Sequence, residues 1–191
     1  DGNTMGVTTP SPEMQRALIG KAIGRAGVEP RSITYVETHG TGTLIGDPIE
    51  LKALTEVFGA EAGRGFCGVG SAKTNIGHLL NASGISGLIK VLLSIVHREL
   101  PPSLHCERPN PRFDFEHSPF YVVQSLETWP GFEGIRRAGV SSFGFGGHNA
   151  HVIVSDGGIP EDRRADLVPR ASMPRFQRSY LWPEAQEPPA T

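Results

Sequence analysis

The sequence predicts a layered α/β fold, and three observations carry that prediction. Helix-like and strand-like segments alternate along most of the chain, as they do where helices cover a sheet. The 24 glycines and 16 prolines supply many tight connections, more than a helical bundle uses. With 191 residues, 38% of them hydrophobic, the chain is long enough to bury one real core.

The clearest helix is "SPEMQRALIGKAIGRAG". Ser11 suits the N-cap, Pro12 the first helical position, and Gly27 the stop. Met14, Leu18, Ile19, Ala22, Ile23 and Ala26 recur at the spacing of one buried face. "SITYVE" follows as a strand. A second helix is expected at "GDPIELKAL", with Asp47 as cap, Pro48 leading, and Glu50 completing a capping box. "GFCGVGS" reads as a short buried strand. The third helix lies within "HLLNASGISGLIKVLLSIVHREL". Its small residues Ala82, Ser83, Gly84 and Gly87 suit a close approach, which marks this helix as central.

Beyond it, "PPSLHCERPNPRFDF" is extended and punctuated by proline. "RAGVSSFGFGGHNAHVIV" forms two strands around a glycine-rich bend. From residue 155 the composition turns to charge, Gly and Pro, which divides the chain into a domain, 1–154, and a tail, 155–191. Within the tail, "PRFQRSYLWP" is an aromatic and basic island expected to dock on the domain surface.

Composition narrows the function. A formal net charge of −2, from 18 basic and 20 acidic residues, gives no reason to expect nucleic acid or an anionic membrane. Cys67 and Cys106 lack CxxC spacing and read as reduced thiols of a cytoplasmic protein, without disulfide or zinc site. No signal peptide is visible. The apolar run "GISGLIKVLLSIV" is interrupted by Lys90 and reads as too short to span a bilayer. The start at Asp1, without methionine, suggests a fragment or a cleaved product.

Three stretches can do chemistry. His39 follows a strand and precedes "GTGT", where Gly40 and Gly42 leave backbone open to a docking group. Thr41 and Thr43 offer hydroxyls there, or serve the turn itself. In "SAKTNIGHLL", Lys73 and His78 flank a turn into the third helix. A histidine in that helix's first turn would be held neutral by the helix dipole, able to donate to a carbonyl oxygen. In "SSFGFGGHNAH", glycines around Phe143 and Phe145 can aim backbone N–H groups at an oxyanion. Each stretch alone also has an ordinary structural reading, and His151 reads as structural. No HExxH or Cys/His ligand spacing supports a metal site.

Taken in order, "VETHGTGTLIGDPIE", "SAKTNIGHLLNASGISGLIK", "PPSLHCERPNPRFDFEHSPFYV" and "RAGVSSFGFGGHNAHVIV" resemble the C-terminal half of a β-ketoacyl synthase domain of modular polyketide synthases. The resemblance runs from Asp1 to about Val154. It implies half of a thiolase-like fold, layered αβαβα, followed by an irregular tail. It also implies decarboxylative Claisen condensation, in which a malonyl-type unit on an acyl carrier protein's phosphopantetheine attacks an acyl-cysteine thioester.

By that resemblance, His39 and His78 polarise the malonyl thioester carbonyl, and Lys73 supports the histidine site. Thr41 and Thr43 bind the pantetheine arm. Phe145 supplies an oxyanion-hole N–H and gates the acyl pocket. No directly bound cofactor is expected.

Two positions depart from the family pattern: Leu80 stands where Glu is usual, and His148 where Thr is. Neither Cys67 nor Cys106 stands in the family's nucleophile motif. An N-terminal half carrying that cysteine is therefore an expected partner, along with the carrier protein and homodimerisation of the complete domain. In the tail, "PRFQRSYLWP" resembles the linker that follows an acyltransferase domain in polyketide synthases, and too few residues separate it from Val154 to hold that domain, so a separate acyltransferase is expected. The rival reading is a non-catalytic module that docks a carrier protein or holds a dimer together.

Overall fold

The computed structural model describes residues 10–59 and 63–157. By internal contacts the chain divides into two units, residues 1–157 and 158–191. The island "PRFQRSYLWP" and the docking expected of it lie outside the described residues.

The first helix, α1, spans Pro12–Ala26, as its punctuation predicts. The Ser11 hydroxyl accepts the N–H of Met14, and Gly27 ends the helix in the left-handed region at φ 63°. Its inward face differs in detail: Ile19 and Ile23 are buried with Gln15, whereas Ala26 is exposed.

Five strands make the main sheet. These are β1 (Tyr35–Glu37), β2 (Cys67–Gly70), β4 (Phe120–Val122), β6 (Arg137–Phe143) and β7 (Asn149–Ser155), in the order β4-β2-β1-β6-β7. All pair in parallel except β6 with β7, which form the predicted antiparallel pair around the glycine-rich bend. Two short strands, β3 (Glu99–Leu100) and β5 (Glu127–Thr128), pair separately.

Successive residues of a strand face opposite sides, and β1 uses both. Val36 joins Ile19 and Ile23 of α1 and Leu54 and Phe58 of the second helix, α2 (Gly46–Phe58), in one core. Tyr35 joins Val91, Trp129, Ala138 and Val140 in the other. Val91 belongs to the long helix α4 (Ser83–His97), which follows a one-turn helix, α3 (Lys73–Ile76). Helices α1 and α2 thus cover one sheet face and α4 the other, giving three layers.

Two helix starts depart from the sequence reading. Asp47 is not the cap of α2; the helix begins at Gly46, whose N–H is taken by the Thr43 hydroxyl at 3.0 Å. His78 is not in the first turn of α4, because a short 3₁₀ turn, Leu80–Ala82, comes between. Counted with that turn, Leu80–His97 is 18 residues of mean hydropathy 1.4, long and apolar enough by those measures to cross a membrane. Its lysine, however, is consumed inside the fold: Lys90 pairs with Glu37 of β1 at 2.8 Å.

Helix α4 buries its small side and bares its large one. Ser83, Gly87, Val91 and Ser94 face the sheet. Ile85, Ile89, Leu93 and Val96 form a stripe on the other side, each more than half exposed. A helix that is apolar all round normally lies between two layers.

A candidate active site at the ends of β1 and β2

The parallel strands β1 and β2 end side by side, and each runs into a candidate stretch. Thr38 prolongs the pairing, its N–H and hydroxyl both donating to the Gly70 carbonyl. The turn then reverses at Gly40, with φ 46°. A Cβ on Gly40 would stand 2.6 Å from the Thr38 hydroxyl and 2.9 Å from Ser71 Cβ, so only glycine fits.

The acids of "GDPIE" hold this turn. Glu50 accepts the N–H of His39 at 2.9 Å and that of Gly40 at 3.1 Å, one on each oxygen. Asp47 accepts the N–H of Gly42 at 3.1 Å. The sequence reading assigned both carboxylates to the cap of their own helix. A capping box and a reach back to the preceding loop use the same residues, so the pattern alone does not separate them. Burial raises the Glu50 carboxyl to about 7, although the two N–H groups oppose the rise. Asp47 is also raised by burial.

His39 and His78 come together. Their ring centroids are 5.6 Å apart, with the planes at 84°. Phe143, at the end of β6, closes a third side of His39 at 5.8 Å. Burial, then the charges of Lys73 and His78, lowers the His39 ring to about 4, so it is neutral at ordinary pH. Its Nδ1 is buried and has no hydrogen-bond partner among the described residues.

The tautomer of His78 follows from its neighbours. Its Nδ1 lies 2.9 Å from the Leu80 backbone nitrogen and 3.1 Å from the Ser83 hydroxyl. A backbone N–H can only donate, so Nδ1 accepts and the neutral ring carries its proton on Nε2. Leu80 reaches this position in the left-handed region, at φ 48°. The helix dipole invoked from sequence is thus replaced by two direct hydrogen bonds.

Lys73 opens α3, beside these groups. Burial lowers its amine, against the opposing pull of Glu37, Glu50 and Asp47. Thr41 is exposed on the turn; Thr43, also exposed, is engaged in starting α2. Phe145 lies on the β6–β7 bend with 71% of its surface exposed. That bend is fastened by His148, which donates from Nδ1 to the Phe145 carbonyl at 2.9 Å and accepts the Gly144 N–H on its own carbonyl.

His151 is buried beside the Ser141 hydroxyl at 3.0 Å, which suits a structural ring. Behind the turn, a cavity of about 170 Å³ is lined by Gly40, Glu50, Ser71 and Cys106, and neither His39 nor His78 lines it. Neither cysteine is activated. Burial raises both thiols, Cys67 strongly, and Cys67 is fully enclosed.

Residues 1–107 match the C-terminal domain of β-ketoacyl synthases, and residues 109–176 match the ketoacyl-synthetase C-terminal extension. The chain belongs to the β-ketoacyl synthase family. This ketosynthase chain is 47% identical to polyketide synthase PksN of Bacillus subtilis over 84% of its own length, and 49% identical to polyketide synthase ThaG of Burkholderia thailandensis over 93%. It spans only 3% of the length of each of those proteins. Among solved structures, the ketosynthase from module 6 of the bacillaene synthase of Bacillus subtilis matches with a TM-score of 0.78 and 48% identity, over 83% of this chain and 29% of that one. Its fold is therefore the C-terminal part of a thiolase-like ketosynthase.

Proposed function

We propose that this chain supplies the two histidines of a polyketide β-ketoacyl synthase, working on a thioester held by a cysteine from an N-terminal ketosynthase segment. The observation that carries the reading is the pair of imidazoles 5.6 Å apart, with the proton of His78 fixed on Nε2.

Two donors that each reach one oxygen at about 2.9 Å lie no more than about 6 Å apart. With ring centroids 5.6 Å apart, the two imidazoles are close enough for one N–H of each to converge on a common oxygen. In the reaction, the bond between C2 of a malonyl-type thioester and its carboxylate breaks and CO₂ leaves. The electron pair passes onto the thioester oxygen as an enolate, which the imidazole N–H groups stabilise as preorganised donors. The enolate carbon then attacks the acyl-cysteine carbonyl. A carbon–carbon bond forms, and the cysteine leaves as thiolate.

His39 suits this task because it is neutral, and a neutral donor does not compete as a fixed cation for the malonyl carboxylate. Lys73 places a positive charge close by. Thr41 and Thr43, on the turn held by Asp47 and Glu50, would bind the pantetheine arm of an acyl carrier protein. The Phe145 N–H would serve the acyl thioester, with its exposed ring at the pocket entrance. Homodimerisation of the complete domain and delivery of the extender by a separate acyltransferase belong to the same reading.

The test is co-expression with a cysteine-bearing N-terminal ketosynthase segment, followed by incubation with acyl- and malonyl-carrier proteins. Mass spectrometry should detect the extended β-ketoacyl carrier protein. Absence of product from a stable, purified pair overturns the reading. Product formation that survives His39→Ala undiminished would leave this chain as a docking module instead.

A further inference from the structure

The buried charges of the fold are not all at the histidines. Glu37, the last residue of β1, is 2% exposed, and Lys90 of α4 meets one of its oxygens at 2.8 Å. The Tyr35 hydroxyl donates to the same oxygen at 2.8 Å, and Lys90 also donates to Tyr35. The other oxygen accepts the backbone N–H of Ala72, the residue just before Lys73.

Space has been cleared around this carboxylate. A Cβ on Gly87 would stand 2.9 Å from Glu37 Cγ, and one on Gly70 would stand 2.7 Å from the Tyr35 hydroxyl. Glycine at both positions lets α4 and β2 close over the group.

A buried ion pair is poor evidence for stability, since apolar replacements of similar volume are often as stable or more so. Its connections suggest another role. Glu37 lies two residues before His39. Ala72 begins the segment that carries Lys73 and leads to His78. Helix α4, anchored through Lys90, begins at Ser83, which itself bonds His78.

We infer that Glu37 is a positioning residue: its carboxylate ties the His39 strand to the Lys73–His78 segment through Ala72, and to α4 through Lys90, thereby setting the spacing of the two imidazoles. The inference rests on the condensing function proposed above. In that function Glu37 touches no substrate; it acts through the backbone on either side of the site.

Two variants separate the tether from the ion pair. Ala72→Pro deletes the N–H that Glu37 accepts while leaving both charges, and the native φ of −57° suits proline. The double change Glu37→Gln with Lys90→Met removes both charges together, and the glutamine carbonyl keeps an acceptor for Ala72. Both are made in the complete ketosynthase assembled with its cysteine-bearing segment, and each is checked by thermal melting. Imidazole ¹⁵N resonances of His39 and His78 are recorded alongside steady-state kinetics.

Ala72→Pro should lower kcat at least tenfold with KM for the malonyl-carrier substrate within about twofold, and should shift the His78 resonances. The double variant should keep kcat within about threefold and leave those resonances in place. Wild-type kcat and spectra in Ala72→Pro, or equal losses in both variants, would overturn the inference. If Ala72→Pro fails to fold, Glu37→Met with Lys90→Met removes the acceptor without leaving a charge unpaired, and the same outcomes decide. An inactive wild-type assembly would count against the condensing reading alone, because the imidazole spectra still report the positioning.

Discussion

The carboxylate of Glu50 bridges two consecutive peptide groups, taking the N–H of His39 on one oxygen and that of Gly40 on the other. The turn that carries His39 is therefore held by a side chain eleven residues along the chain, on α2. Burial places the titration of this carboxyl at about 7 instead of 4.5.

The sign of the pH effect follows. Between about 4.5 and 7 the folded protein keeps a proton on Glu50 that the unfolded chain has lost, so this group lowers stability as pH rises through that window. The full effect is on the order of 3 kcal/mol. His39 and His151, both lowered to about 4, act in the other direction: folding stability rises with pH from about 4 to 6.5. Glu50→Gln removes the opposing group. Its unfolding free energy in urea should therefore climb more steeply between pH 5 and 7 than that of the parent protein. An unchanged slope would show that Glu50 does not titrate there.

His78 should lose function in proportion to what is removed. If His78 is the oxyanion donor proposed above, His78→Ala in the ketosynthase assembled with its N-terminal segment should lower decarboxylation of malonyl-carrier protein by roughly 10²–10³. Ser83→Ala removes one of two hydrogen bonds to Nδ1 and leaves the Leu80 N–H in place. One such bond is worth about 1 kcal/mol, so a loss of about fivefold is expected. A ¹⁵N spectrum should still show the proton on Nε2. A proton found on Nδ1 would undo the tautomer assignment.

The order of α1, β1, α2, β2, α4, β6 and β7 was legible in the sequence because its punctuation is local, whereas α3, β3, β4 and β5 were not anticipated. Ser11, Pro12 and Gly27 act within one helical turn of where they stand, and α1 begins and ends there. The family was legible for a different reason: the glycines and histidines of its stretches follow ordered motifs. What the sequence concealed was long-range. Nothing in "GDPIE" distinguishes a carboxylate capping its own helix from one that reaches back to His39. The 3₁₀ turn that places His78 outside α4 depends on Leu80 adopting a positive φ, which its residue type does not announce. Phe143, read as a core residue or an oxyanion flank, stands against the His39 ring only because β6 lies beside β1.

Two glycine-to-alanine changes should have opposite signs. At Gly24, on an exposed part of α1, a Cβ would meet nothing within 4 Å, so alanine should stabilise by about 1 kcal/mol through helix propensity. At Gly87 the same gain is outweighed, because the new methyl would stand 2.9 Å from Glu37 Cγ, whose carboxylate is fixed at both oxygens. Overpacking of this kind typically costs about 1–3 kcal/mol. Thermal melts of the two variants check the contrast. A stabilised Gly87→Ala would mean that α4 rides freely over the sheet.

The stripe on the outer side of α4 should behave as an interface. Ile85, Ile89, Leu93 and Val96 are exposed together on a helix whose inward face holds the small residues. Contiguous apolar surface of this sort marks a binding face or an aggregation hazard. Since this chain spans 29% of a solved ketosynthase, the expected occupant is the N-terminal ketosynthase segment. Ile89→Glu places a charge at the centre of the stripe without touching the His39–His78 pair. The variant alone should be more soluble than the parent, with the same far-UV circular dichroism. On co-expression it should fail to copurify with the N-terminal segment, while Lys52→Glu, on the exposed side of α2, should copurify normally. Retention of the partner by Ile89→Glu would mean that the second layer docks on another face.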